Sequence, residues 1–440
     1  MAYLQSVFRI ANIFCAFFIF LLLLLSVNMV PLASAHALHE PLSTQIDTYL
    51  QRVVREQGFA GSVLVHKDGK TILRKGYGLA DDARHMSITP ETVFDVGSIS
   101  KQFTAAAILQ LEQQGKLRVM NCISTYLEHV PADKAAITLH QLLTHSSGLP
   151  DDYAGGDLEP LSREEALQAI FSLPLQSRPG EKYVYSNAGY TLLAAVIERV
   201  SGTSYPKYMK DHLFRPAGLL HTGFYNDPQW QRLSVAHGYW NGTDEGSPAT
   251  WPGPYWTVMG NGGVMSTVDD LATWWQVLQA HTLLSPSQTE KLFHKYIKQD
   301  SEGEYYGYGW TIQQTEQGEL ITHNGGGIGG NSDIAFYQQE HVSIFICSNR
   351  ITYRILFSLP YDIHLLATDT SKQLADNIFH HNFSRLPQPT FTLIPASLIA
   401  GGILLVFLLV MFRLRRKRKL AGQHTISKFS LRSPSKKPPA

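Results

Sequence analysis

Ser98 and Lys101 stand three residues apart at the head of a stretch, Phe103 to Leu111, that meets no glycine or proline until Gly115. Such a run forms a helix. Its apolar residues circle the axis, so the helix is buried on most sides. A lysine at its start needs a reason to be there, because buried lysines are rare without a partner. At i and i+3 the two side chains share a helix face. Burial disfavours the ammonium form, so Lys101 could take the proton of Ser98 and make it a nucleophile. The dipole of the helix N-terminus would favour the anion formed there. A competing reading makes Ser98 or Ser100 an N-cap, with Lys101 reaching out to solvent. The motif is too short to decide between them alone.

Two later stretches carry compatible chemistry. Tyr185 and Asn187 lie two apart in Tyr183-Val184-Tyr185-Ser186-Asn187, just before the apolar run Thr191 to Val200. A phenol beside a lysine can shuttle protons, and an amide can hold a substrate carbonyl. Further on, His323-Asn324-Gly325-Gly326-Gly327 closes a strand-like segment. Consecutive glycines allow close backbone approach and present N–H groups, and the histidine could bind a carboxylate or move a proton. No G-K-[ST] follows, which excludes a phosphate loop.

The elements that must position these residues are legible in outline. Leu42 to Gln57 has helical spacing. Gly61 to His66 and Thr71 to Arg74 form a hairpin over Asp68-Gly69. Helices are expected over Ile137–Leu143, Arg163–Phe171 and Asp269–Leu278, the last capped by Ser266 or Thr267. Strands are expected at Tyr308–Ile312, Leu320–His323, Ile334–Tyr337 and from Val342. Short strands joined by tight turns imply an antiparallel sheet covered by helices. The aromatic, glycine- and proline-rich region Trp230 to Trp256 could wall a cleft.

The charge is unevenly spread. Ten of the 37 basic residues follow Phe412 with no acidic residue among them, and Arg9 is the only charge before His36. The body between is net acidic, a poor match for nucleic acid. Residues 1–35 end in Ala33-Ser34-Ala35 after a long apolar run and read as a signal peptide or retained anchor. Residues 393–412 read as a transmembrane helix. The basic tail, 413–440, then belongs in the cytoplasm by the positive-inside rule, with the body, 36–370, outside and a linker over 371–392. Of the three cysteines, Cys347 reads as a buried free thiol in a core strand. No ligand set for a metal is apparent, and no cofactor is expected.

Taken in order, Ser98-x-x-Lys101, Tyr185-x-Asn187 and His323-x-Gly325 resemble the serine β-lactamase and penicillin-binding-protein superfamily, in its class C-type branch of D,D-peptidases, D-aminopeptidases and esterases. Leu142 to Pro150, Gly262 to Leu271 and Tyr308-Gly309-Trp310 are similar to that branch as well. The resemblance implies an α+β fold with an antiparallel sheet flanked by helices, a mostly helical lobe, and a site between them. It also implies Ser98 as acylated nucleophile, Lys101 as base, Tyr185 in proton transfer, and Asn187, His323 and Gly325 as substrate-binding. The N–H groups of Ser98 and Gly326 would form an oxyanion hole. His323 falls where many members have lysine, so its charge would depend on pH. The expected activity is a membrane-anchored, extracytoplasmic serine hydrolase acting on an amide bond of a D-amino-acid-containing peptide. Alternatives are a small-acyl esterase or weak β-lactamase, and a slowly deacylating penicillin-binding sensor. Expected partners are a small peptide or ester substrate, β-lactams as acylating ligands, and the membrane.

Overall fold

The computed structural model describes residues 40–299, 303–356, 359–364 and 366–387. The expected signal or anchor segment, membrane span and basic tail lie outside these residues. Among the described residues no helix is long and apolar enough to cross a membrane.

Eight strands build the main sheet: β1 (Gly61–Lys67), β2 (Lys70–Tyr77), β3 (Ile297–Lys298), β4 (Glu304–Tyr306), β5 (Thr311–Thr315), β6 (Gly318–Gly327), β7 (Gly330–Tyr337) and β8 (Val342–Ser348). Their spatial order is β3-β4-β5-β6-β7-β8-β1-β2, and every pairing is antiparallel. Consecutive strands are neighbours except where β1 and β2 join the β8 edge. The β1–β2 turn places Asp68 and Gly69 at φ 50° and 72°, as a two-residue hairpin with right-handed strand twist requires.

Alternation along the strands separates two cores. Leu64, Phe336, Phe345 and Cys347 face one way and join the helical lobe. Val63, Val65, Ile344 and Ile346 face the other and meet α1 (Leu42–Gln57) and a C-terminal helix, Leu366–His380. Cys347 is a buried free thiol.

That C-terminal helix corrects the expected linker. Leu374, Ala375 and Ile378 are buried against the sheet, a helical spacing hidden in the sequence by the polar Lys372, Gln373, Asp376 and Asn377 around them. The Arg52 guanidinium donates to the carbonyls of Phe383 and Ser384, and Gln57 to that of Pro387. The packed body therefore runs on past residue 370. Separately, residues 352–356 pair antiparallel with Leu359–His364, with Thr352 opposite His364.

On the other face lies α2 (Ser100–Gln113), entered through a tight turn over Gly97–Ile99 and buried almost all round. Against it packs α3 (Asn187–Ser201), whose N-cap is Ser186 accepting from the Gly189 N–H. α4 (Val268–Gln279) is capped by Thr267, as expected, and sets Trp274 against Phe103. The C-terminal helix is α5 hereafter. Two boundaries differ from expectation. Asn187 already opens the helix that contains the apolar run from Thr191, and β6 continues past His323 through Gly325 and Gly326, paired with Ser332 and Asn331.

Candidate active site

Lys101 is fully buried, with its Nζ 2.9 Å from Ser98 Oγ. The same nitrogen donates to Asn187 Oδ1 at 2.7 Å and to the Asn261 carbonyl at 2.9 Å. Burial pushes the amine down to about 7, against the pull of the carboxylates Asp151, Asp157 and Asp152. Near neutral pH a large share of the chain thus carries an uncharged amine. A neutral amine has two hydrogens and one lone pair. Asn187 and Asn261 take the hydrogens, which leaves the lone pair aimed at the Ser98 hydroxyl. Such an arrangement is chemically able to act as a base over a nucleophile.

Ser98 has a second neighbour, the Tyr185 hydroxyl, which donates to its Oγ at 2.9 Å. Burial drives the Tyr185 phenol well above its ordinary value, so it stays protonated and serves as a donor. The Lys101 nitrogen sits 4.8 Å from the centre of the Tyr185 ring. Ser98, Lys101, Tyr185 and Asn187 therefore converge from two separated stretches on one point.

Close backbone contact brings in the glycine strand. A Cβ on Gly325 would fall 2.0 Å from the Val96 carbonyl oxygen and 2.9 Å from the Ser98 nitrogen. A Cβ on Gly97, itself at φ 52°, would fall 2.6 Å from the Gly326 nitrogen. Only glycine lets the edge of β6 lie this near the turn that carries Ser98. Buried Asp95 fixes that turn, accepting from the Gly97 N–H and the Tyr225 hydroxyl.

His323 is held in its neutral form. The ring is buried, with Nε2 2.9 Å from the Tyr306 hydroxyl and Nδ1 2.6 Å from the Asn324 carbonyl. Burial, with help from nearby Lys101, pushes it down to about 4. A neutral ring donating through Nδ1 and accepting at Nε2 satisfies both contacts. Near neutral pH the ring is therefore uncharged.

Sequence reasoning missed the Asn261 carbonyl, which as a backbone acceptor leaves no residue signature. It also missed the three carboxylates around Lys101 and the contact of Tyr306 with His323. Among the described residues no group of side chains could hold a metal ion.

Residues 46–363 match the family model described as Beta-lactamase. The chain is 27% identical over 379 residues to penicillin-binding protein 4* of Bacillus subtilis, covering 77% of this chain and 81% of that protein. It is 29% identical over 306 residues to the teichoic acid D-alanine hydrolase of Staphylococcus aureus, covering 69% and 73%. Its fold is similar to the octameric penicillin-binding protein homologue from Pyrococcus abyssi (TM-score 0.65, 28% identity, 78% of each chain). It is also similar in fold to the D-amino acid amidase of Ochrobactrum anthropi (TM-score 0.66, 21% identity, 78% and 100%). With its α+β architecture, the chain belongs to the beta-lactamase family and is a serine hydrolase of that family.

Proposed function

We propose that the protein hydrolyses an amide bond of a D-amino-acid-containing peptide through an acyl-enzyme on Ser98, working outside the cytoplasm on a membrane anchor. The observation that carries this reading is the buried Lys101 amine, held 2.9 Å from Ser98 Oγ and tied on its other side by Asn187 and Asn261. Ser98 Oγ attacks the substrate carbonyl carbon and its proton passes to Lys101. The tetrahedral oxyanion is received by the N–H groups of Ser98 and Gly326. Collapse expels the amine, which takes a proton delivered by way of Tyr185, and water then releases the acyl group by the reverse sequence. Asn187 orients the substrate amide.

The neutral, engaged His323 favours a second reading. Without a fixed cation there, a substrate carboxylate gains little, whereas an ester of a small acyl group needs none. The staphylococcal relative is named for removing D-alanine from teichoic acid, which suits an ester or amide of D-alanine as donor.

Intact-mass spectrometry of the purified full chain tests the reading, with a penicillin, a D-alanyl anilide and a small acyl ester as separate probes. The expected result is one acyl group on Ser98, absent from Ser98→Ala, with product released repeatedly. A persistent adduct would instead indicate the slowly deacylating sensor. A folded chain with neither adduct nor turnover on any probe would remove Ser98 as nucleophile.

A further inference from the structure

His145 lies outside the proton path proposed above, yet it holds the chain on both sides of Tyr185. The Val184 N–H donates to the His145 carbonyl at 2.7 Å, and the Ser186 N–H donates to His145 Nδ1 at 3.0 Å. Between those two bonds, the Tyr185 ring lies over the His145 ring, with centroids 4.3 Å apart and planes 34° apart. The rings of Tyr306 and Tyr190 close in at 4.6 and 5.1 Å. The histidine is completely buried and adopts φ 56°, the left-handed region. A non-glycine residue is held there only when its surroundings demand it. The turn is over-determined in this way, since Ser146 and Gly148 are also bonded through their backbones to Gly180 and Gln176.

The ring's chemistry is restricted further. To accept from Ser186, Nδ1 must be unprotonated, so the proton sits on Nε2. Burial keeps the ring neutral, and Lys101 and His323 oppose a charge on it as well. The Nε2 group has no hydrogen-bond partner among the described residues. A polar ring left half-satisfied in a core is costly, and leucine or phenylalanine would fill the space without that cost. What a hydrocarbon could not supply is the acceptor for Ser186 beside the Tyr185 platform.

We propose that His145 is a positioning residue for the Tyr185 hydroxyl, its Nδ1 acceptor fixing the chain beside Tyr185 and so holding that hydroxyl on Ser98 Oγ. The proposal rests on the acyl-enzyme reading for its kinetic consequence but not for its geometry. Asparagine tolerates the left-handed backbone and carries an acceptor close to the Nδ1 position. His145→Ala carries none.

The test measures acylation of Ser98 in the full chain, normalised to the titre of acylatable Ser98, for the wild type, His145→Ala, His145→Asn and both changes on Tyr185→Phe. His145→Ala is expected to slow acylation roughly tenfold or more, a part of the roughly hundredfold or greater effect of losing a proton-transfer partner outright, with little change in KM. His145→Asn should recover most of the rate. On the Tyr185→Phe background His145→Ala should add almost nothing, because both act through one hydroxyl. Additive losses, or a folded His145→Asn as slow as His145→Ala, would overturn the proposal. Histidine-selective 15N spectra of the wild-type chain, assigned by the signal missing in His145→Asn, decide the point independently of folding or acylation. They must show Nδ1 unprotonated and Nε2 protonated at neutral pH. The opposite tautomer sinks the proposal, whereas a wild-type chain that never acylates sinks only the acyl-enzyme reading.

Discussion

At Lys101 two opposed influences meet. Burial favours the free amine, while Asp151, Asp157 and Asp152 favour the ammonium, and burial prevails with a result of about 7. Acylation by a free amine then follows the deprotonated fraction. The rate should climb as pH rises through about 7 and level off above it, measured as the first-order rate of adduct formation. Asp152 is exposed and raises the lysine, so Asp152→Asn removes one stabiliser of the ammonium form. The limb should move to lower pH, and by less in molar salt, where exposed charges are screened. A limb that moves upward or stays fixed would contradict the assignment of Lys101 as the titrating base. At this scale the sequence was informative because Ser98, Lys101, Tyr185 and Asn187 carry their chemistry in their side chains. It left the charge of His323 open, because that charge is set by burial in the folded chain and by the nearness of Lys101. It was silent too on the Asn261 carbonyl, which any residue could have supplied.

The elements owe their placement to a few close approaches. Where β6 meets the turn before Ser98, a methyl group on Gly325 would occupy the space of the Val96 carbonyl. Gly325→Ala should therefore cost about 1–3 kcal/mol of stability, the usual range for overpacking, and should also abolish acylation by displacing β6 from Ser98. Thermal unfolding and adduct formation on the same sample check both. The run of glycines there reads locally as a turn, yet pairing with β7 keeps it extended. Tertiary contact overrides local propensity at that point. In α5, Leu374 is completely buried, so Leu374→Ala should cost about 2–5 kcal/mol in denaturant unfolding of the full chain. A loss below about 0.5 kcal/mol, the level of ordinary surface changes, would restore the linker reading. That helix was hard to see because its buried residues are small or interrupted by charge. α1, with Ile46, Tyr49, Leu50 and Val53 on one face, was plain.

At the scale of the whole molecule, the acidic body lies between two apolar flanks and a basic end. If those flanks anchor it, the full chain should stay with membranes through an alkaline carbonate wash. A chain reduced to residues 36–387 should be released, and recovery of the full chain in the supernatant would refute the anchor. The ties between α1 and the last described residues also bear on how such a body withstands force. Tension applied at its two ends would pass into α1 and into the segment that follows α5, which are joined directly where Arg52 holds Phe383 and Ser384. That load path runs over the face of the sheet opposite the core that contains α2. Tethers of different length or material could then pull on this layer while the nucleophile's surroundings stay slack.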